Sequence, residues 1–231
     1  MKNLLLFLLA FIILSSCDTE SSDEVAVSAL WQGYALYYDK TENKTWAMAE
    51  FRDGGPFGND VILYAPSGIT MNGNNMHYHA IPFDLFFHHY GLIEDGLLSA
   101  ATYVFTDKNS KTYTNHADLT GMEIDFPSNM DTISRSEGIV ISWSGDPVKL
   151  GESVKVEITV FNDTTALYSE STNTVGETSI SFSATELAAI PTGMQSFDIT
   201  RSVTADLQAV TAKGGMIETT YHASGDYYIK D

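Results

Sequence analysis

Residues Glu152–Phe161 read ESVKVEITVF, and there Val154, Val156, Ile158 and Val160 alternate strictly with Lys155, Glu157 and Thr159. Wrapped on a helix, this order would scatter the apolar side chains around the cylinder. With period 2 they fall on one side, which is the pattern of a half-buried antiparallel strand. The rest of the chain repeats the theme in shorter pieces. Trp31–Tyr38 (WQGYALYY) and Thr45–Phe51 (TWAMAEF) flank a polar turn and predict a hairpin, as do Ser99–Thr106 and Lys111–Asp118 around Asp107-Lys108-Asn109-Ser110. Further strands are expected at Val61–Ala65, Met76–Ile81, Phe83–Tyr90, Gly138–Ser144, Thr178–Ser183, Phe197–Ala205, Leu207–Ala212, Met216–Ala223 and Asp226–Ile229. Only Ala184–Ile190, stopped before Pro191, suggests a helix, of one or two turns.

An all-β fold follows, built from sandwiches. Phe126-Pro127-Ser128-Asn129 through Gly138 is polar and turn-rich, so a boundary is expected there, with one β-sandwich at 29–126 and an immunoglobulin-like one at 127–231. Trp143, on an early strand of the second half, is expected in the core. The chain has a single cysteine, Cys17, so no disulfide holds the halves. The fold must stand on its hydrophobic core, which a mature chain of about 215 residues can supply.

The N-terminus has a different character. Lys2 is followed by Leu4–Leu14 without a polar side chain, about 11 residues against the roughly 20 a membrane-spanning helix needs. Leu14-Ser15-Ser16-Cys17 resembles the lipobox of bacterial lipoproteins. The resemblance implies that Met1–Ser16 is a removed signal peptide and that the Cys17 sulfur carries a diacylglyceryl group, with the new amine acylated. Two or three acyl chains anchor stably where one does not. Residues 17–28 open with Asp18–Glu24 (DTESSDE), free of apolar side chains, and read as a flexible acidic tether. Acidic residues just after the cysteine also resemble surface-export signals of some Gram-negative lipoproteins. This implies the outer membrane as the address, including its outer face.

A second resemblance lies within the first half. Ala65-Pro66-Ser67-Gly68, Tyr103-Val104-Phe105, Asp107-Lys108-Asn109-Ser110 and Thr112-Tyr113-Thr114 are similar to the turns and strands of an immunoglobulin-like module of bacterial surface proteins. It covers roughly residues 60–118 and implies a fold without implying an activity.

Without Met1–Ser16 the chain carries 11 basic and 30 acidic residues, a formal charge of −19. Phosphate recognition needs the opposite sign, which excludes nucleic acid as a partner. No Gly-x-Ser-x-Gly elbow occurs and the only thiol belongs to the lipobox, so no catalytic residue is assigned and a non-enzymatic protein is expected. Two constellations remain. His77, His79, His88 and His89 crowd into Met76–Tyr90; on a strand His77 and His79 project from one face, and His88 or His89 on a neighbour would add a ligand for zinc, with Asp84 at hand. The adjacent pair cannot both reach that face. Acidic turns at Asp39–Glu42, Asp107–Asn109 and Asp163 offer oxygens to calcium, without the spacing of an EF-hand loop.

The other constellation is aromatic: Trp31, Tyr37, Trp46 and Tyr78 are candidates to stack on a ligand. Alternation puts Trp31 and Tyr37 on one face and Tyr34 and Tyr38 on the other, so one of these sets is core. The sequence therefore favours a lipid-anchored envelope protein that binds a glycan, a peptide or an envelope protein. The alternative is a metal-binding or metal-dependent hydrolytic protein using the histidine cluster.

Overall fold

A computed structural model describes residues 19–80, 88–161 and 163–231. Met1–Ser16, expected as a signal peptide, and Cys17 and Asp84 lie outside the described residues. The main strands are β1 (Leu30–Asp39), β2 (Lys44–Asp53), β3 (Gly68–Met71), β4 (His77–Ala80), β5 (His88–Asp95), β6 (Ala100–Thr106), β7 (Thr112–Asp118), β8 (Thr132–Ser134), β9 (Ile139–Ser142), β10 (Glu152–Val160), β11 (Asp163–Thr172), β12 (Ser179–Phe182), β13 (Gly193–Asp206) and β14 (Gly215–Lys230). The helix α1 (Ala184–Ala188) is held by a capping box: the Ser183 hydroxyl accepts from the Glu186 N–H, and the Glu186 carboxylate accepts from the Ser183 N–H.

The architecture is all-β and layered, in open sheets. One nine-stranded sheet runs in the order β11-β10-β13-β14-β1-β2-β5-β4, with β8 also on β14. A four-stranded sheet, β7-β6-β3 and Asn74–Asn75, covers the first-half end of it. There Tyr103 stacks on Tyr34 with centroids 5.0 Å apart, Phe105 meets Phe51 at 4.7 Å, and the Tyr103 hydroxyl donates to the Ala35 carbonyl at 2.6 Å. Over the second-half end lie the β9–β12 pair and α1, which bring Ile141, Ile180, Phe182 and Leu187 to Val154, Val156, Ile158 and Ile199. Trp143 is buried as expected, its Nε1 donating to the Asp146 carbonyl.

The expected boundary at 126–127 does not divide the sheet. Residues Gly215–His222 of β14 pair in parallel with Gln32–Asp39 of β1, and farther along the same edge Tyr228–Lys230 pair with β8. One continuous core runs from Leu30 to Ile229. The segments read as Met216–Ala223 and Asp226–Ile229 are a single strand, because Gly225 stays paired with Phe197 and breaks nothing.

The stretch expected as a flexible tether is docked from Glu20 onward. Glu20–Ser21 pair in parallel with Val61–Ile62, Val25 is buried, and the Lys108 ammonium donates to the Asp23 and Val25 carbonyls at 2.9 and 2.7 Å. Its polar side chains say little about where its backbone hydrogen bonds go.

Candidate binding site

The shared sheet has one face on the core and one turned away from it. On β1 the core takes Leu30, Tyr34, Leu36 and Tyr38, all buried, so Trp31, Gly33, Ala35, Tyr37 and Asp39 fall on the outer face. The alternation thus resolves in favour of Tyr34 and Tyr38 as core. On the outer face the register sets Thr220, Tyr37, Trp46 and Ile93 in a row across β14, β1, β2 and β5. Tyr37 and Trp46 are half-buried with ring centroids 5.5 Å apart, and Ile93 beside them is 60% exposed. This row is an apolar platform on an otherwise acidic molecule.

Two of the four aromatic candidates do not belong to it. Trp31 shares the face but is only 6% exposed, and its indole reaches so close to Gly33 that a Cβ there would lie 2.7 Å from it. Tyr78 lies opposite Tyr90 in the register and packs its ring on it at 5.4 Å, against the core. Trp31 is thus buried on the outer face, and Tyr78 lies half-buried on the core face, away from the platform. Sequence alternation cannot separate an outward residue that neighbours cover from one they leave bare.

One strand-step from the platform the outer face sinks. Gly33 and Ala35 carry almost no side chain, while Met48 and Glu50 on β2 and Met216 and Glu218 on β14 rise on either side, around a cavity of about 280 Å³. Register sets Glu50 and Met216 beside Gly33, and Met48 and Glu218 beside Ala35, so the two carboxylates are diagonal to each other. His89 also lines the cavity. The Glu50 Oε2 accepts from Arg52 at 2.8 and 3.2 Å, and the Arg52 guanidinium also donates to the Pro56 carbonyl at 2.7 Å. Glu218 is exposed, and its carboxylate makes no hydrogen bond or ion pair with a described residue.

On the other side of the platform is a constellation that sequence reading missed. His222 on β14 donates or accepts through Nδ1 to Asp39 Oδ2 at 3.0 Å and through Nε2 to Asp198 Oδ1 at 3.1 Å. Its ring stacks on Tyr37 with centroids 5.9 Å apart, and the Tyr37 hydroxyl points to the same Asp39 oxygen at 3.5 Å. The hydrogen bond to Asp198, then the charge of Asp39, raises the His222 pKa above its ordinary value against the opposing effect of burial. Burial, reinforced by Asp39, likewise raises the Tyr37 phenol.

Register sets three of the four candidate metal residues, His77, His79 and His89, on one face of the β4–β5 pair and leaves His88 on the other. His79 lies opposite His89 and His77 opposite Gly91, whereas His88 lies opposite Ala80, one residue out of step. Among the described residues no group of three or more histidine, cysteine or acidic side chains converges as a metal would require. The acidic turns serve the backbone. Asp39 Oδ1 accepts from the Thr41 and Glu42 N–H groups, and the buried Asp107 accepts from those of Asn109 and Lys111, as turn-forming carboxylates do. Asp163 opens β11. Among the described residues no helix is long and apolar enough to cross a membrane.

No protein-family model matches the chain, and no curated protein matches it. Among solved structures it is similar, at 13% identity and a TM-score of 0.27, to a bacterial ice-binding adhesin studied for host cell surface retention, over 87% of this chain and 65% of that one. At 12% identity and 0.25 it is similar to a tetra-tandem repeat from the extending region of a large adhesion protein, over 80% and 56% of the two chains. At 12% identity and 0.22 it is similar to a Bacteroides ovatus mixed-linkage glucan utilization protein, SGBP-B, in complex with a mixed-linkage heptasaccharide, over 94% and 47%. The chain spans less than two thirds of the length of each.

Proposed function

We propose that this protein is a non-enzymatic glycan-binding module of the bacterial cell envelope, held at the outer membrane by lipid on Cys17. Its binding face is the outer face of the shared sheet at Tyr37 and Trp46. The observation that carries the reading is the row Tyr37, Trp46 and Ile93, two half-buried aromatic rings beside a largely exposed aliphatic side chain, on the sheet face turned away from the covering layer. Two aromatic rings tilted 57° to each other and flanked by carboxylates suit a sugar ring, whose C–H face stacks while its hydroxyls find acceptors. The absence of a catalytic motif in the sequence agrees with a binding role. So does His222, whose two ring nitrogens are both engaged by carboxylates, leaving neither open to act as a base on a substrate. The lipobox residues support the anchor, and the acidic stretch after Cys17 supports the outer membrane.

One experiment tests both parts. Full-length protein, Trp46→Ala and Cys17→Ser are expressed in a Gram-negative host, fractionated, and applied to a glycan array. Trp46→Ala is expected to stay with the membrane and to lose about tenfold or more in affinity for whichever glycan the parent binds, about 1.4 kcal/mol of stacking. Cys17→Ser is expected to leave the membrane and keep its glycan. Array binding unchanged by Trp46→Ala sinks the platform, and membrane attachment unchanged by Cys17→Ser sinks the anchor.

A further inference from the structure

The furrow beside the platform has a chemistry of its own. On β1 the outer positions step from Trp31 through Gly33 and Ala35 to Tyr37, about 6.6 Å for every two residues. The furrow is therefore continuous with the aromatic row and ends under the Trp31 indole. Gly33 is what keeps that end open: a Cβ there would lie 2.7 Å from the Glu50 Cγ and Oε1 and from the Trp31 ring. At about 280 Å³ it is at the small end of ligand pockets, room for one unit of a chain rather than a whole ligand. Its walls pair thioether with carboxylate on each side, Met48 with Glu50 and Met216 with Glu218. Arg52 answers the charge of Glu50, whereas nothing among the described residues answers that of Glu218.

Building on the glycan reading above, we infer that the furrow takes a cationic amino sugar, whose ammonium sits at Glu218 while the neighbouring ring of the same chain stacks on Tyr37 and Trp46. The two subsites lie in adjacent rows of the sheet. Ala35 and Tyr37 are two residues apart on β1, as are Met48 and Trp46 on β2, so consecutive units of one extended chain reach both. The methionines cover the carbon skeleton of the ring, and the unanswered carboxylate selects the charge. An anionic sugar would meet the unanswered Glu218 carboxylate in a mature chain of formal charge −19 and is rejected.

The test is calorimetric titration of the full mature chain with two tetramers of equal length, glucosamine (cationic at mildly acidic pH) and N-acetylglucosamine (neutral). An exposed ion pair supports a preference of about fivefold for the cationic tetramer. Glu218→Gln is expected to erase that preference. Glu137→Gln, an exposed carboxylate in the second half, is expected to keep it and so measures the general pull of the acidic surface. Trp46→Ala is expected to weaken both tetramers. Equal affinity for the two in the parent overturns the amino-sugar inference and leaves the platform standing, provided Trp46→Ala still weakens both. Binding of neither overturns it as well, and the array experiment then decides the platform separately. A lysine tetramer that binds more tightly than the glucosamine tetramer and is lost in Glu218→Gln makes the occupant a basic peptide, which also overturns it.

Discussion

Between Asp39 and Asp198, His222 is held by both ring nitrogens, and only the protonated ring can donate to both carboxylates at once. The neutral ring would turn a lone pair toward one of them. Its folded pKa is therefore raised above the unfolded value near 6.5. A raised histidine pKa stabilises the fold fully below the unfolded value, and the contribution is lost as pH rises through the folded value. Thermal melts of the parent and His222→Gln should thus differ most below about pH 6.5 and converge as pH rises beyond neutrality. A gap that widens with pH would contradict the clamp. The sequence drew the eye elsewhere, to His77, His79, His88 and His89, because they crowd together along the chain. His222 is 183 residues from Asp39 and 24 from Asp198, and no spacing rule joins them. Tyr37 and Trp46 were legible, being hairpin neighbours, whereas Glu218 and Met216 were not, because they reach the furrow from the far end of the chain.

At the level of elements, local pattern and structure agree where partners are close in sequence. The β1–β2 and β6–β7 hairpins form around the expected turns, and β10 carries Val154, Val156, Ile158 and Val160 into the core as its alternation requires. The two faces of that strand should respond differently to substitution. Ile158→Ala empties a fully buried site and should cost about 2–5 kcal/mol. Glu157→Gln removes only a partner of Lys155 at 2.9 Å on the outer face and should stay within about 0.5 kcal/mol. Urea unfolding of both variants checks this, and similar midpoints would show the register to be wrong. Two of the expected strand ends are passed through by strands that carry a glycine. Gly91 lies inside β5, paired with Met48 on one side and His77 on the other, and Gly225 lies inside β14. Glycine weakens a strand, but neighbours on both edges supply hydrogen bonds that a local reading does not count.

For the whole molecule the decisive contact is the parallel seam between β1 and β14. It joins the first strand of the expected first sandwich to the last strand of the expected second one, and a common core runs beneath. The mature chain should therefore melt in one calorimetric transition, with van't Hoff and calorimetric enthalpies in agreement. Ile217→Ala, buried on β14 beside the seam, should move that transition down without splitting it. Two resolved transitions in the parent would show the halves to be thermodynamically separate. By itself the sequence determined that the chain is all-β and layered, where its nearest hairpins turn, and which side chains of β1 share a face, because period 2 and turn chemistry are written within a few residues. Only the tertiary structure decided which face of β1 is core, that the two halves share one sheet, that Trp31 is buried while Tyr37 and Trp46 stay half-exposed on the same face, and that His222 and Glu218 flank them. Pairing between strands nearly two hundred residues apart depends on which edges meet when the whole core closes, and no local pattern records that.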